Sequence, residues 1–521
     1  MRVEGALALW GLLSCTACFS PPADFTFING AEPQTLDPAI ATGVPENRII
    51  SSLFEGLTTR HPETLEPLPG MAESWDVSDD GHVYTFRIRE DARWSNGEPF
   101  TAHDFVYSWR RALTPETAAQ YSYQLWYIKN AEKFNAGEIS DFSEVGVRAL
   151  DDRTLEVTLE NPTPYFVSLT SFYTLFPVHR GTVERWGDEW IKPEHIVTNG
   201  PFLLRDWRLR HEIYLVKNPR YWDAENVALR SVRVLPSENA NTAFNLYEKG
   251  TADWHGSMPA HLTDLLLERP DVHVAPYLGT YFVRVNVTRP PLDDPRVRLA
   301  LFQSVRREDI VRYITRGGEV PAYTFTPPMH GYEPPEAPGY DPEEARRLLA
   351  EAGYPGGRGL RKLVYLYNTL EGHRDIAEVL QQQWKENLGV DIELLNQEWK
   401  VYLNSQRNLE YDLSRSGWIG DYVDPNTFLD MFVTGGGNNA TGWSNEEYDA
   451  LIARAARTDD HAERMRIFRR AERILVMDGP PVIPLYYYVV RWMYPPYVRG
   501  APPNLLGELF LKNIWIEKEG V

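Results

Sequence analysis

The chain has 521 residues, 43% of them hydrophobic and 24% charged, with a formal net charge of -20 at pH 7. This length exceeds what one hydrophobic core usually spans, and it predicts two or three domains. The acidic balance repels phosphate backbones, so we expect no nucleic-acid partner. The only cysteines are Cys15 and Cys18. The chain from residue 19 onward therefore has no disulfide, zinc cluster or cysteine nucleophile.

The N-terminal residues are typical of an export signal. Residues 5–13 (GALALWGLL) form an apolar run after Arg2 that is too short to span a bilayer. Residues 12–15 (LLSC) then match the pattern of a bacterial lipobox, which predicts lipidation of Cys15. Cys18 is a rival site, and an ordinary secretory signal cut nearby is the other alternative. We expect residues 1–22 to be signal peptide, lipobox and linker, and lipid to anchor the protein to a membrane.

The body mixes strand and helix patterns. Apolar and polar residues alternate in 84–89 (YTFRIR) and 154–159 (TLEVTL), which predicts half-buried strands. Helix caps predict four helices. The helices are one starting at Thr101 and running to about Leu113, one capped by Asp341 and ended by Gly353, one after a capping box at Ser444, and one over residues 461–477. This mixture predicts α/β lobes.

Catalytic signatures are missing from the sequence. It contains no G-x-S-x-G, H-E-x-x-H, Walker A or G-x-G-x-x-G pattern. The glycine-rich residues 434–437 lack the Lys-Ser/Thr of a phosphate loop, and the 12 histidines lack ligand spacing. We therefore expect no enzyme activity, no cofactor and no bound metal.

Several motifs carry a resemblance to a known family. Residues 71–75 (MAESW), 84–89, 94–97 (WSNG) and 101–108 (TAHDFVYS) together resemble the signature of the peptide/nickel family of extracellular solute-binding proteins. Similar stretches are 34–38 (QTLDP), 53–57 (LFEGL), 199–202 (NGPF), 218–222 (NPRYW) and 295–300 (PRVRLA). Three more stretches resemble the oligopeptide-binding proteins of Gram-negative bacteria, namely 396–400 (NQEWK), 415–425 (RSGWIGDYVDP) and 484–488 (PLYYY).

This resemblance implies a two-lobed α/β periplasmic-binding-protein fold with hinged closure and an extra inserted domain. The boundaries carried over from the family give three parts. Lobe I is discontinuous (23–54, 181–278 and 490–521), the inserted domain covers 55–180, and lobe II covers 279–489.

The resemblance also implies a set of peptide-binding residues. Asp421 would pair with the peptide ammonium, and Arg415 and His373 would hold the carboxylate at different peptide lengths. Rings would line the cleft at Trp399, Tyr121, Tyr277 and Tyr488, backbone would meet the ligand at Val44 and Gly417, and Asn438 would make a polar contact. Thr315 stands where well-known relatives carry a lysine, with Arg316 next to it, which predicts a narrower length preference.

The expected function is that of the substrate-binding component of an ABC oligopeptide importer. The expected partners are oligopeptides and a permease with two transmembrane subunits and two ATPases. We expect a monomer in the periplasm or cell envelope of a Gram-negative bacterium. The alternatives are a receptor for a dipeptide, a murein peptide, haem or a nickel complex, a chaperone or sensor without transport, and a peptidase on the same scaffold.

Overall fold

A mixed sheet of eleven strands forms the frame of the protein. The computed structural model describes residues 22–329, 331–369, 371–458 and 460–517, without the side chains of residues 260, 371, 399 and 400. From one edge to the other, ten strands of the sheet are Ile392–Gln397, Leu363–Asn368, Leu413–Ile419, Val272–Val285, Val482–Met493, Trp254–His255, Phe25–Gly30, Ser231–Pro236, Glu212–Lys217 and Phe202–Arg208. The eleventh, Val320–Pro321, pairs with Val482–Met493.

Two long strands join the halves of this sheet. Val272–Val285 and Val482–Met493 run antiparallel to each other, with pairs from Val272–Met493 to Arg284–Val482. Their register breaks between Pro276 and Thr280. On one side of the break the pair borders Trp254–His255, and on the other it borders Leu413–Ile419. The predicted lobe boundaries at 278/279 and 489/490 fall at this break, although the exact division remains a prediction.

A second sheet lies in the predicted inserted domain. Its four antiparallel strands, in spatial order, are Ala72–Val77, Val83–Ile88, Thr154–Thr158 and Val147–Ala149. Alternation buries Tyr84, Phe86 and Ile88 on one face, because successive side chains of a strand point to opposite sides. Both strands predicted from alternation are confirmed to within one residue. The short pair Thr58–Arg60 and Pro67–Pro69 leads into this sheet.

Buried apolar residues segregate in the same way as the sheets. One cluster joins residues of 25–254 to the C-terminal segment, so the inserted sheet and the first half of the large sheet share one core. A second large cluster surrounds Tyr281 and a third surrounds Phe282, and the buried residues of both lie within 278–486. Tyr422 is the exception, since it belongs to the second half by sequence but packs in the first cluster. The fold is therefore α/β and two-lobed, with an extra domain on one lobe.

The α-helices are, in chain order, Val44–Leu53, Ala102–Leu113, Ala131–Asn135, Phe166–Leu169, Arg180–Trp186, Ala240–Glu248, Thr263–Leu266, Pro295–Gln303, Arg307–Asp309, Pro342–Glu351, Glu371–Leu388, Trp399–Arg407, Asn426–Leu429, Glu446–Ala455 and His461–Met477. A π-helical turn covers Ile310–Thr315. Among the residues described, no helix is long and apolar enough to cross a membrane.

Local cap chemistry predicted these boundaries well. The Thr101–Asp104 capping box and the Asp341 cap are both present, and the last helix has the predicted bounds. One cap is wrong by a residue, because Asn445 rather than Ser444 accepts the first free backbone N–H, from Tyr448 at 2.9 Å. Asparagine and serine cap about equally well, so the pattern alone did not separate them.

Candidate ligand-binding cleft

The strand Leu413–Ile419 carries the predicted site residues along one face. Arg415, Gly417 and Ile419 lie on that face, because every second residue of a strand points to the same side. Asp421 follows two residues after the strand ends. Gly417 lies opposite Tyr281 in the neighbouring strand, and Arg415 lies opposite Val283. The sequence 415–421 therefore sets a cation, a gap without a side chain and an acid along one line.

One edge of this strand is free beyond Arg415, whose backbone carbonyl accepts from the Tyr402 hydroxyl and from Gln406 Nε2. Residues 413–419 pair with 279–285 on one side. On the other side, pairing with Leu363–Asn368 stops at residues 413 and 414. From residue 415 onward, no strand of the described chain pairs with that edge. An edge with unpaired backbone groups can accept an added extended segment.

Arg415 lies among tyrosine rings at the start of this line. Its guanidinium carbon is 4.8 Å from the centroid of the Tyr281 ring, and its Nη1 donates to Asn368 Oδ1 at 3.4 Å. Its Nε is buried without a hydrogen-bond acceptor. Within the described part of the chain, no carboxylate lies within 4 Å of this guanidinium. Arg415 is thus a cation held in place and left open to an anion.

His373 lies beside the same tyrosine. Its Nδ1 is 3.3 Å from the Tyr281 hydroxyl. Burial, reinforced by the positive charge of Arg415, lowers the pKa of His373 to about 3. His373 is therefore neutral at physiological pH, and the nearby positive charge is that of Arg415. His373 can still donate a hydrogen bond, so its contact with a ligand remains a prediction.

Gly417 allows a close approach by Tyr488. A Cβ atom at residue 417 would lie 2.6 Å from the Tyr488 hydroxyl oxygen and 3.4 Å from Arg415 Nη2. The Tyr488 ring lies 6.5 Å from Tyr277 and 6.3 Å from Tyr281, centroid to centroid. These rings sit at the register break of the two long strands. Any larger residue at 417 would displace the hydroxyl from the cleft.

A cleft of about 260 Å³ opens at the Asp421 end of the line. It brings together four of the predicted residues, namely Val44, Tyr121, Tyr277 and Asp421. Val44 begins the helix Val44–Leu53 and is 48% exposed. The other lining residues are Thr42, Gly43, Asn47, Phe172, Tyr173, Ile419, Gly420, Leu506 and Glu508. Segments assigned by prediction to both lobes and to the inserted domain thus line the cleft around Asp421.

Asp421 is held by neutral donors. Gln124 Nε2 donates to Asp421 Oδ2 at 3.0 Å, and the Asp421 backbone N–H donates to Thr427 at 3.1 Å. No cationic nitrogen lies within 4 Å of its carboxylate in the described residues, and the charge of Arg60 acts from further away. Burial raises the pKa of Asp421 to about 7 despite these hydrogen bonds. A buried carboxylate in this state favours a cationic ligand.

Three predicted residues either lie away from this line of residues or fall outside what the structure describes. Asn438 has an exposed side chain, and its carbonyl accepts from Arg284 Nη1 at 2.9 Å. Arg284 alternates with Val283, so it lies on the opposite face of the sheet from Arg415. Trp399 begins the helix Trp399–Arg407, but its side chain is outside the described ones, and Cys15 is outside the described residues altogether.

Thr315, where the family resemblance predicts a lysine in well-known relatives, is followed by Arg316. The Thr315 hydroxyl donates to its own turn, at Val311 O, 3.4 Å away. Arg316 adopts a left-handed backbone conformation and forms an ion pair with Asp264. Its charge is therefore already paired, which supports the prediction that one cationic position is lost.

Sequence reasoning missed several contacts in the cleft. Gln124 holds the Asp421 carboxylate, and Tyr281 joins Arg415 to His373. Phe172 and Tyr173 complete the wall around Tyr121, with ring centroids 5.4 and 6.1 Å from it. The run of polar aromatic residues at 121–124 (YSYQ) was an available signal for the first wall. Tyr281 offered none, because its role depends on pairing across the sheet.

The fold and cleft define the class of protein, a two-lobed receptor of the solute-binding kind. The family described as Bacterial extracellular solute-binding proteins, family 5 Middle, matches residues 66–440, and the chain belongs to this family.

Individual relatives are similar over nearly the whole length. The periplasmic oligopeptide-binding protein OppA of Escherichia coli is 39% identical over 503 residues, which cover 94% of this chain and 92% of the relative. The periplasmic murein peptide-binding protein MppA of the same organism is 37% identical, covering 91% and 89%. The crystal structure of Haemophilus influenzae OppA in complex with RPPGFSPFR has a TM-score of 0.80 and 36% identity, covering 95% and 99%.

Proposed function

We propose that the protein is the substrate-binding component of an ABC oligopeptide importer, which captures short peptides between its lobes and delivers them to the permease. The observation that carries the proposal is the free edge of residues 416–419 between two charges without a counter-charge, Arg415 and Asp421. A peptide has a backbone, an ammonium and a carboxylate whatever its side chains are. The edge, the acid and the guanidinium match these three constant features.

The spacing of the two charges fits a short extended chain. Arg415 and Asp421 are six positions apart, so their Cα atoms are at most about 20 Å apart. An extended peptide advances about 3.3 Å per residue, so a segment of up to about six residues fits within this distance. The relatives' names support the same class of ligand, since OppA is called oligopeptide-binding and one OppA structure holds a nonapeptide.

Closure would complete the site. Asp421 follows the lobe II strand, whereas Gln124 and Tyr121 come from the inserted domain and Val44 from lobe I. The lobes are joined through the two long strands, whose register break provides a point of bending. Contacts from both sides exist only when the lobes are together, so binding favours the closed form.

Native mass spectrometry of the protein as purified would test the proposal most directly. We expect co-purifying peptides of a few residues, and calorimetry should show binding of tri- to pentapeptides to the stripped protein. N-acetylated or C-amidated versions should bind poorly. Equal affinity for blocked and free peptides would contradict the assignment of Asp421 and Arg415. Hydrolysis of a bound peptide during incubation would contradict a receptor without enzyme activity.

A murein peptide is the second candidate ligand. MppA, whose name states a murein peptide, matches this chain almost as well as OppA. The predicted loss of a lysine at Thr315 would also be a departure from the well-known oligopeptide pattern at one ligand position. Competition between alanine tripeptide and a murein tripeptide would separate the two.

The cellular setting is part of the proposal. We place the protein in the periplasm or cell envelope of a Gram-negative bacterium as a monomer, anchored by lipid on Cys15. Replacing Cys15 with Ala should move the protein to the soluble periplasmic fraction. Retention on membranes with lipid attached would assign the anchor to Cys18 or another residue. Size-exclusion chromatography with light scattering tests the monomer.

A further inference from the structure

The outer face of the helix His461–Met477 carries an arginine groove, which we define as Arg466, Arg469, Arg470 and Arg473 together with Pro335, Glu336 and Met477. The four arginines are spaced i, i+3, i+4 and i+7, so they form one stripe about 10 Å long on the exposed side of the helix. With the segment at Pro335 and Glu336 they enclose about 500 Å³. Four clustered cations contrast with a protein of net charge -20.

Two of these arginines have no acidic partner. Arg470 pairs with Glu447 at 2.5 Å, and Arg466 pairs with Glu463 at 3.1 Å. For Arg469 and Arg473, the described residues supply no carboxylate within 4 Å. Their guanidinium groups are therefore available for bidentate contacts with carboxylates or phosphates of another molecule.

The buried face of the same helix contacts the loop that follows Asp421. Arg464 is 2% exposed, and its Nη2 donates to Asp424 Oδ1 at 2.8 Å. Asp424 lies three residues after Asp421, the acid of the cleft. Further along the helix, the buried Glu472 accepts from Thr326 N at 2.6 Å and from the Tyr332 hydroxyl. One helix thus connects the arginine groove to the loop that contains Asp421 and Asp424.

We propose that the arginine groove is a docking surface for an acidic segment of the importer's membrane subunit. This inference rests on the proposed function. A concave groove with apolar ends at Pro335 and Met477 suits an inserted protein segment better than a flat bilayer surface. A net charge of -20 repels an anionic partner overall, so a local stripe of arginines would orient the encounter.

The test compares two double variants of the full-length protein. Arg469→Glu with Arg473→Glu reverses the groove, and Arg346→Glu with Arg358→Glu makes the same change of -4 at exposed arginines on another face of the same half. Binding of the peptide-loaded protein to the permease–ATPase complex would be measured in phosphatidylcholine nanodiscs. We expect the groove variant to bind the complex about tenfold or more weakly and the control within twofold. Both should bind peptide as the wild type does, which shows that they are folded.

Each other outcome has a definite meaning. Equal binding of the groove variant and the wild type to the complex would overturn the groove inference while the proposed function stands. A wild type that binds neither peptide nor complex would overturn the proposed function itself. Tight binding of the wild type to permease-free phosphatidylglycerol nanodiscs or to pyrophosphate, lost in the groove variant, would assign the groove to phosphate-bearing ligands and overturn the docking proposal.

Discussion

The two charged ends of the cleft solve the same physical problem in different ways. Each holds one buried charge without an opposite charge among the described residues. The Asp421 carboxylate is stabilised by hydrogen bonds from the side chains of Gln124 and Tyr123, yet burial still raises its pKa to about 7. Arg415 instead rests on the π face of Tyr281 and on an amide oxygen.

This difference determines whether each group keeps its charge when no peptide is bound. The acid can lose its charge by taking up a proton, because its pKa lies near physiological pH. The guanidinium cannot, so it must keep weaker neutral partners that a carboxylate then replaces. The acidic end is therefore sensitive to pH, and the basic end is a fixed cation. The predictions below are designed to separate these two behaviours.

Asp421→Asn should have the largest effect. The amide keeps the shape and the Gln124 contact but leaves a bound ammonium without its counter-charge, which costs about 3–5 kcal/mol. Calorimetry with an alanine tripeptide should show at least a hundredfold loss of affinity. N-acetylated peptide, which has no ammonium, should bind the variant and the wild type about equally. A variant that still prefers the free amine would show that another acid receives it.

Arg415→Gln should come next, with a loss of about 2–4 kcal/mol for peptides that have a free carboxylate. The loss should be smaller than at Asp421, because Asn368 and His373 can still donate or accept around the vacated position. C-amidated peptides supply the control, since they should be almost indifferent to the change. If amidated and free peptides weaken equally, Arg415 supports the fold of the cleft rather than the carboxylate.

Much of the fold followed from local patterns, whereas the site did not. Alternation at 84–89 and the caps at Thr101 and Asp341 predicted elements correctly because strand faces and helix ends depend on nearby residues. The pairing of Val272–Val285 with Val482–Met493 joins segments about 200 residues apart, which no local pattern encodes. Asp421 and Arg415 were identified through the family resemblance, and their missing counter-charges became visible only in three dimensions. The neutral state of His373 depends on burial and on the nearby Arg415, which the sequence does not display.

Gly417→Ala should have an intermediate effect through sterics alone. The new methyl group would meet the Tyr488 hydroxyl at 2.6 Å, and overpacking of this kind costs about 1–3 kcal/mol. We expect weaker peptide binding together with a modest fall in thermal stability, because the methyl group displaces the Tyr488 side chain within the protein itself. Adding Tyr488→Phe removes the hydroxyl and should restore part of the affinity. If the double variant binds no better than Gly417→Ala, the clash lies with the ligand and not with Tyr488.

The pH dependence of affinity should be the mildest effect and the one that separates the two ends most clearly. In the free protein Asp421 has a pKa of about 7, and an ammonium beside it lowers that value. Below pH 7 a proton must leave before the peptide binds, so affinity should fall towards tenfold per pH unit, about 1.4 kcal/mol. Above pH 8 the peptide amine begins to lose its own proton. We therefore expect a maximum between pH 7 and 8.

Calorimetry at pH 6 in buffers of different ionisation enthalpy should show close to one proton released per peptide. Asp421→Asn should abolish the release and flatten the acidic limb, whereas Arg415→Gln should preserve both. Asp430 is the group to control for, because burial and the charge of Asp421 raise its pKa to about 8. With this pKa, Asp430 is already protonated and uncharged below pH 7, so Asp430→Asn should leave the acidic limb in place. An acidic limb that survives Asp421→Asn but disappears in Asp430→Asn would assign the titration to Asp430. The charge of Asp421 would then be as independent of pH as that of Arg415.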